Sequence, residues 1–456
     1  MRVFLLFLFV GLAKLLFSVE TIVQGNISSF NGKTIRVSKI DDYISFKSTP
    51  LCKGEIKNNT FLLQFDIDRP QRIHIDIEDK QATFYAEPGE VYNVNLNYDE
   101  PSNEGLAYFK NLSVRFSYPR AKELNQLIKK FNTDYEEFFD QHYQQIILKG
   151  AKKKVDAFIN KWEQQCTEIS NDYAKNYIIY SLASLERISY ISEEALYKKY
   201  FNTTSPLYNN SEYMSFFKQL YDKDFESMAL SKRGTEVLKS IVINSDLEES
   251  IRFIKEYKSF DSDAFAELYL LNGLSDIFHQ PLIDQESSLE MLEHIYKHGQ
   301  NIENKEIANN LIEKLSLFSN VSTVPSFTLE NTKGDSTNLE SLFGKPIYIG
   351  FWANWSISSR RELSVIKKLH EQYGKDMHFI SINLDKDFSK VITMAKQNEF
   401  NWQMLHIGDN YKLREQYEAL TLPAYYLIDS KGKMLRAFAK GPTEVQAEIH
   451  RLLRRN

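Results

Sequence analysis

Cysteine is nearly absent from this sequence: 456 residues hold two thiols, Cys52 and Cys166. So few, and so far apart, they exclude a disulfide scaffold, a thiolate metal site and a Cys-x-x-Cys redox pair. Glycine (17 residues) and proline (11) are also sparse, which excludes collagen-like and low-complexity disordered chains. Charge of one sign is lacking as well. Lys plus Arg number 56 against 61 Asp plus Glu, a net −5, so nothing draws the chain as a whole to nucleic acid. No phosphate loop, dinucleotide fingerprint or kinase signature occurs, and nucleotide-dependent chemistry has no support. The sequence therefore predicts no nucleic-acid or nucleotide partner, no cofactor and no metal.

The longest apolar stretch is at the start. Arg2 precedes Val3 to Ala13, Lys14 interrupts, and Leu15 to Phe17 follow, the shape of a secretory signal over residues 1–19. The run is short of the roughly 20 residues a spanning helix needs, and no later stretch approaches it. An exported protein of the periplasm or cell envelope is expected, with membrane contact only through an uncleaved leader. No cysteine near residue 20 would accept a lipid.

The length asks for two to three domains. From Thr21 to about Tyr98 the period is two: Ile73, Ile75 and Ile77 alternate with His74, Asp76 and Glu78, and Tyr92, Val94, Leu96 and Tyr98 alternate with asparagines. Turn signals at Asn31-Gly32, Lys57 to Asn59 and Glu87-Pro88-Gly89 cut this part into about seven strands, an antiparallel sandwich or barrel. Beyond Pro119 the period becomes helical, as at Leu247, Ile251 and Ile254. After Ser322 a strand–helix–strand order appears: Lys345 to Trp352, Ser359 to Tyr373, Met377 to Leu384. That last part carries 19 Lys plus Arg and 15 Asp plus Glu, a surplus of +4, against −9 for the remainder. The expected fold is multidomain: an N-terminal antiparallel β domain (20–114), an all-α middle domain (115–320) and a C-terminal α/β domain (321–456).

Several segments of the last part carry a resemblance. Gly350 to Glu362, GFWANWSISSRRE, resembles the active-site segment of the TlpA/ResA-like thioredoxin family, in which a strand ends in Trp-Cys-x-x-Cys and opens a helix. Val324 to Leu329, Gly344-Lys345-Pro346, Ile380 to Asp385 and Thr421 to Asp429 are similar to the family's other strands, Pro423 standing at its cis-proline position. The resemblance implies a thioredoxin fold over 322–456. The domain order, with Phe84 to Gly89 as a terminal turn, is similar to Bacteroidetes envelope proteins with a DUF4369-like N-terminal domain.

Where that family has its cysteines this chain has Ser356 and Ser359, with Ile357 and Ser358 between them. Disulfide exchange needs a thiolate, and a helix N-terminus lowers a thiol's pKa towards 7 but cannot ionise a serine hydroxyl appreciably. Nor does the segment offer a Gly-x-Ser-x-Gly elbow or a neighbouring histidine to activate Ser356, which reads as a helix N-cap. No catalytic residue is therefore assigned, and Ser356 and Ser359 stand as degenerate redox positions.

The resemblance also implies a cis-proline loop that faces the active-site turn and pairs with extended peptide, a role that needs no thiol. Trp352, Trp355, Ile357, Leu422 and Pro423 are expected to frame an apolar notch for an extended peptide or envelope protein. The leading expectation is a non-catalytic binding or chaperone-like module. One alternative is a TlpA/ResA-type thiol-disulfide oxidoreductase working through Cys52 and Cys166, or a chain whose serines replace cysteines as a trapping variant. Another is a thioredoxin-fold scaffold with its partner site on the helical domain.

Two other groupings read as structure. His294 and His298 stand four apart on one helical face with no third ligand in pattern, so two solvent-facing histidines are expected. Tyr135, Phe138, Phe139 and Tyr143, and then Tyr173, Tyr177 and Tyr180, repeat at helical spacing and predict core packing.

Overall fold

The computed structural model describes residues 20–28, 30–78, 80–98, 110–117, 122–149, 151–189, 191–202, 205–240, 246–280, 282–317, 323–385, 387–408, 410–419 and 421–454. The leader and the junction expected at 320/321 lie outside them, and the junction expected at 114/115 falls within a strand, Lys110–Phe116. Among the described residues, contacts divide the chain into two compact units, with those of 20–40, 48–98 and 111–130 in the first and those of 41–47, 110 and 131–454 in the second.

The first unit holds eight strands: β1 (Thr21–Ile27), β2 (Thr34–Ile40), β3 (Ser48–Glu55), β4 (Thr60–Phe65), β5 (Gln71–Ile77), β6 (Lys80–Ala86), β7 (Val91–Tyr98) and β8 (Lys110–Phe116). Their order is β3-β2-β5-β6-β8-β7-β1-β4, and the two end strands are packed together, so the sheet closes towards a barrel. Alternation in sequence becomes alternation in burial: in β6, residues 80, 82, 84 and 86 point inward. Val23, Ile35, Ile73, Ile75, Ala82, Phe84, Val94 and Leu96 fill the interior. One pairing differs from the antiparallel pattern. β1 runs parallel to β7, Ile22 beside Val91 through Ile27 beside Leu96, which the long intervening chain permits.

The second unit begins its regular structure with helices: α1 (Leu124–Lys149, whose first residues belong to the first unit), α2 (Lys152–Cys166), α3 (Asp172–Arg187), α4 (Glu193–Tyr200), α5 (Ser211–Leu220), α6 (Asp224–Leu230), α7 (Thr235–Lys239), α8 (Leu247–Lys258), α9 (Asp263–Ile277), α10 (Gln285–His298) and α11 (Ile302–Ser316). Sequence punctuates them. Asn171, Ser192, Asn210, Asp246, Ser262, Asp284 and Asn301 each accept the backbone N–H three residues on, satisfying one of the unpaired donors of a helix start. Helix α9 is buried all round, from Phe265 to Leu274. Among the described residues no helix is long and apolar enough to cross a membrane.

The α/β part contains β9 (Thr328–Asn331), β10 (Ser336–Asn338), β11 (Ile347–Trp352), α12 (Ile357–Tyr373), β12 (His378–Asn383), α13 (Ser389–Gln397), β13 (Gln403–His406), α14 (Tyr411–Gln416), β14 (Ala424–Ile428), β15 (Met434–Arg436) and α15 (Gln446–Leu453). The sheet order is β10-β9-β13-β12-β11-β14-β15, with β11 parallel to β12 and antiparallel to β14. All six residues of β11 are buried, as a central strand covered on both faces requires. Ile347, Ile349, Phe351, Ile380 and Tyr426 fill one face; Tyr348, Trp352, Leu363, Ile366 and Phe379 fill the other. This is the thioredoxin-like α/β region that the resemblance implied.

Candidate functional site

The strand β11 ends at Trp352 and α12 begins at Ile357, so Ala353 to Ser356 form a turn at the carboxyl end of a central strand. Ser356 has extended backbone (φ −82°, ψ 110°) and caps α12, its Oγ accepting the Ser359 N–H at 3.3 Å. Ser359 Oγ donates to Ser356 Oγ at 2.9 Å, and Ser358 Oγ lies 3.1 Å from the same oxygen. Ser356 and Ser359 are buried while Ser358 is exposed. The helix has no acid in its first turn, and Arg360 and Arg361 follow at exposed positions.

A second strand end lies beside this turn. In the β11–β14 register Phe351 faces Ala424, so Leu422 and Pro423 sit alongside Trp352 at the start of β14. The Leu422–Pro423 bond is cis and both residues are half-buried. Trp355 is 37% exposed and Ile357 59%, two large apolar groups left open at the turn. Trp352, expected in the same frame, is a correction. It is 2% exposed and packs with Leu363, Ile366 and Tyr425, because the pleat of β11 turns its side chain under α12.

Two polar arrangements hold the turn that sequence reasoning did not single out. The Asp385 carboxylate accepts the Asn354 N–H and the Asn383 side-chain N–H, each at 2.7 Å, and the Asp385 carbonyl lies 2.8 Å from His406 Nε2. His406 in turn stacks on Phe388, ring centroids 4.6 Å apart. Asp385 stood at the end of a recognised strand segment, but nothing local to it showed that residue 354 would be its partner. On α12, Glu362 accepts the Tyr425 hydroxyl at 2.5 Å, and Tyr425 stacks on Tyr348 with the rings 4° from parallel. Gly350 makes room for that stack, since a Cβ there would stand 2.6 Å from Tyr425 Cε1.

Neither cysteine lies on an element that forms this site. Cys52 is half-buried on β3 and Cys166 is buried at the end of α2; both thiols are free. Burial pushes the Cys52 thiol up, and it pushes Cys166 up to about 11, the opposite of the shift that makes a thiolate.

His294 and His298 meet at 4.8 Å between ring centroids, His298 exposed and His294 half-buried. Among the described residues no group of three metal-ligating side chains occurs. Tyr173, Tyr177 and Tyr180 are buried, and Phe138 stacks on Phe158 at 4.3 Å, so these aromatics are packing, with Tyr143 alone of the seven in the open.

Comparison with known proteins matches residues 322–437 to the AhpC/TSA family. The chain is 25% identical over 111 residues to the thioredoxin-like protein YneN of Bacillus subtilis (strain 168), a match covering 24% of this chain and 64% of YneN. The shared part is thus a little under two thirds of YneN's own length. The chain is 26% identical over 125 residues to the thiol-disulfide oxidoreductase ResA of a Bacillus cereus strain, covering 27% of this chain and 72% of ResA. Among solved structures, a Bacteroides vulgatus protein whose name places it with the thiol-disulfide oxidoreductases is 32% identical, with a TM-score of 0.26 and coverage of 27% of this chain and 82% of that one.

Proposed function

We propose, starting from the match of residues 322–437 to the AhpC/TSA thioredoxin-like family, that this chain is an exported, non-catalytic peptide- or protein-binding module of the cell envelope. One observation carries the reading: at the turn where a redox member needs thiols, Ser356 and Ser359 are hydrogen-bonded to each other, while Trp355 and Ile357 stay exposed beside them. A hydroxyl pair cannot cycle electrons. An open tryptophan and isoleucine next to a strand end can hold an extended peptide, the strand end lending backbone hydrogen bonds and the apolar groups burying a side chain.

Trp355, Ile357, Leu422 and Pro423 are the proposed contacts. The raised thiols of Cys52 and Cys166 weigh against the oxidoreductase alternative through those residues. Residues 1–19 are read as the export signal, 20–114 as the DUF4369-like domain, 115–320 as the helical domain and 321–456 as the binding domain.

The test is binding of a fluorescently labelled, extended apolar peptide to the full chain, followed by anisotropy. Trp355→Ala and Pro423→Ala are expected to weaken it several-fold. Affinity unchanged in both variants refutes the assignment of the site, and binding that survives removal of 322–456 moves it to the helical domain.

A further inference from the structure

Glu267 lies in the middle of α9, a helix surrounded by apolar neighbours, and is 6% exposed. A carboxyl in such a place needs partners, because an ionised group without them is strongly disfavoured in low dielectric. Two polar side chains approach it. Asn304, fully buried in the first turn of α11, reaches towards both Glu267 and Tyr208, which precedes α5. Yet Asn304 Nδ2 donates to the Ala264 carbonyl at 2.9 Å. Glu267 Oε1, Asn304 Oδ1 and the Tyr208 hydroxyl make no close hydrogen bond among the described residues, the Asn304 amide interacting with the carboxyl and the phenol only at longer range.

The wall of this cluster is the α10–α11 turn. Gly299 closes it: a Cβ there would stand 2.9 Å from Glu267 Oε1. The charged groups around the carboxyl do not neutralise it. On α9, Asp263 is engaged by Lys255. On α11, Lys305 points its ammonium at the Lys297 carbonyl, 3.3 Å away, and Glu303 adds like charge near Tyr208. Burial pushes the Glu267 carboxyl up to about 7; the Asn304 side chain opposes it, the Asp263 charge adds to it by less, and Lys305 opposes by least.

We propose that Glu267 is a proton-binding site that ties the α10–α11 turn to α9. A proton on the carboxyl removes the buried charge and adds a donor to a cluster whose oxygens make no close hydrogen bond; loss of that proton restores a charge that burial disfavours and loosens the turn at Gly299. The sign follows from linkage. A buried acid whose folded pKa lies above its free value near 4.5 binds more protons folded than open, so its contribution is complete below about 4.5 and falls as pH rises towards 7.

The test is hydrogen exchange of the full chain between pH 5 and 8, corrected for the intrinsic pH dependence of exchange. Protection of residues 295–305 is expected to fall by up to about tenfold per pH unit between 5 and 7 and then level off. Glu267→Gln, which is neutral at every pH, should remove the slope. A native slope of zero, or one that persists in Glu267→Gln, overturns the proposal. Infrared spectroscopy of the native chain gives a second reading should that variant not fold. A buried neutral carboxyl present at pH 5 and lost by pH 8 supports the site, and an ionised one throughout refutes it.

Discussion

Ser359 donates its hydroxyl to Ser356 across the first turn of α12, oxygen to oxygen 2.9 Å. These two side chains occupy the family's cysteine positions and already point at one another, hydroxyl to hydroxyl. A disulfide bond is only about 2.05 Å long, and the capping turn supplies most of the approach. Ser356→Cys/Ser359→Cys is therefore expected to form a disulfide in air and to reduce insulin with dithiothreitol as electron donor, while the native chain is silent. A variant that stays reduced in air shows that the turn has drifted from redox geometry. Insulin reduction by the native chain turns attention to Cys52 and Cys166.

Asp385 anchors the turn through the Asn354 N–H and the Asn383 amide. Removing it in Asp385→Ala strands a donor on Asn383, which is fully buried, at a cost of about 1–3 kcal/mol. Denaturant titration should register that loss, and peptide affinity should fall with it if the turn forms the binding surface. Asp385→Asn, which keeps one acceptor, should lose less.

Gly350→Ala places a methyl 2.6 Å from Tyr425 Cε1. Tyr425 cannot swing away freely, being stacked on Tyr348 and bonded to Glu362. Overpacking of this kind costs about 1–3 kcal/mol, and a lowered melting temperature is the expected result. An unchanged melting temperature would mean that β11 slides to make room.

His74 offers a pH test in the β domain. Burial, and then the Arg72 charge, pull its pKa down to about 4, against weaker support from Asp76 and Gln81. The folded state thus binds fewer protons than the unfolded one, whose histidine titrates near 6.5. Stability contributed by this group is complete above about 6.5 and is lost as pH falls towards 4, by up to about 3 kcal/mol. Denaturant midpoints measured from pH 4 to 7 should rise along that window, and His74→Gln should flatten the rise.

The thiols are expected to react slowly. With Cys52 half-buried, Cys166 buried and both pKa values raised, little thiolate exists at pH 7. Labelling by Ellman's reagent should be slow in the native chain and complete within minutes in denaturant. Fast native labelling of either thiol would reopen the oxidoreductase alternative.

What the sequence revealed of the fold was what local pattern encodes. Period two in residues 73–77 and 92–98 became barrel strands, and the run from Gly350 to Glu362 became strand, turn and helix, with the α12 start two residues earlier than expected because Ser356 is the cap. What stayed hidden depends on partners distant in sequence. The side of β11 from which Trp352 projects was not written in its neighbours, nor was the Asp385 bond to a backbone group 31 residues away. Glu267 reads in sequence as one acid among many; only the packing of α9 on all sides makes it unusual.

The place of β1 bears on the order in which the first unit assembles. It is the first described strand along the chain, yet it lies between β7 and β4, parallel to the former, with its partners on β7 69 residues away, as in Gln24 beside Asn93. The hairpins β2–β3 and β5–β6 join neighbours and close small loops. The β1–β7 pairing instead closes a large one, so it carries the greatest loop-closure entropy of these pairings, the kind of distant contact that slows β folds.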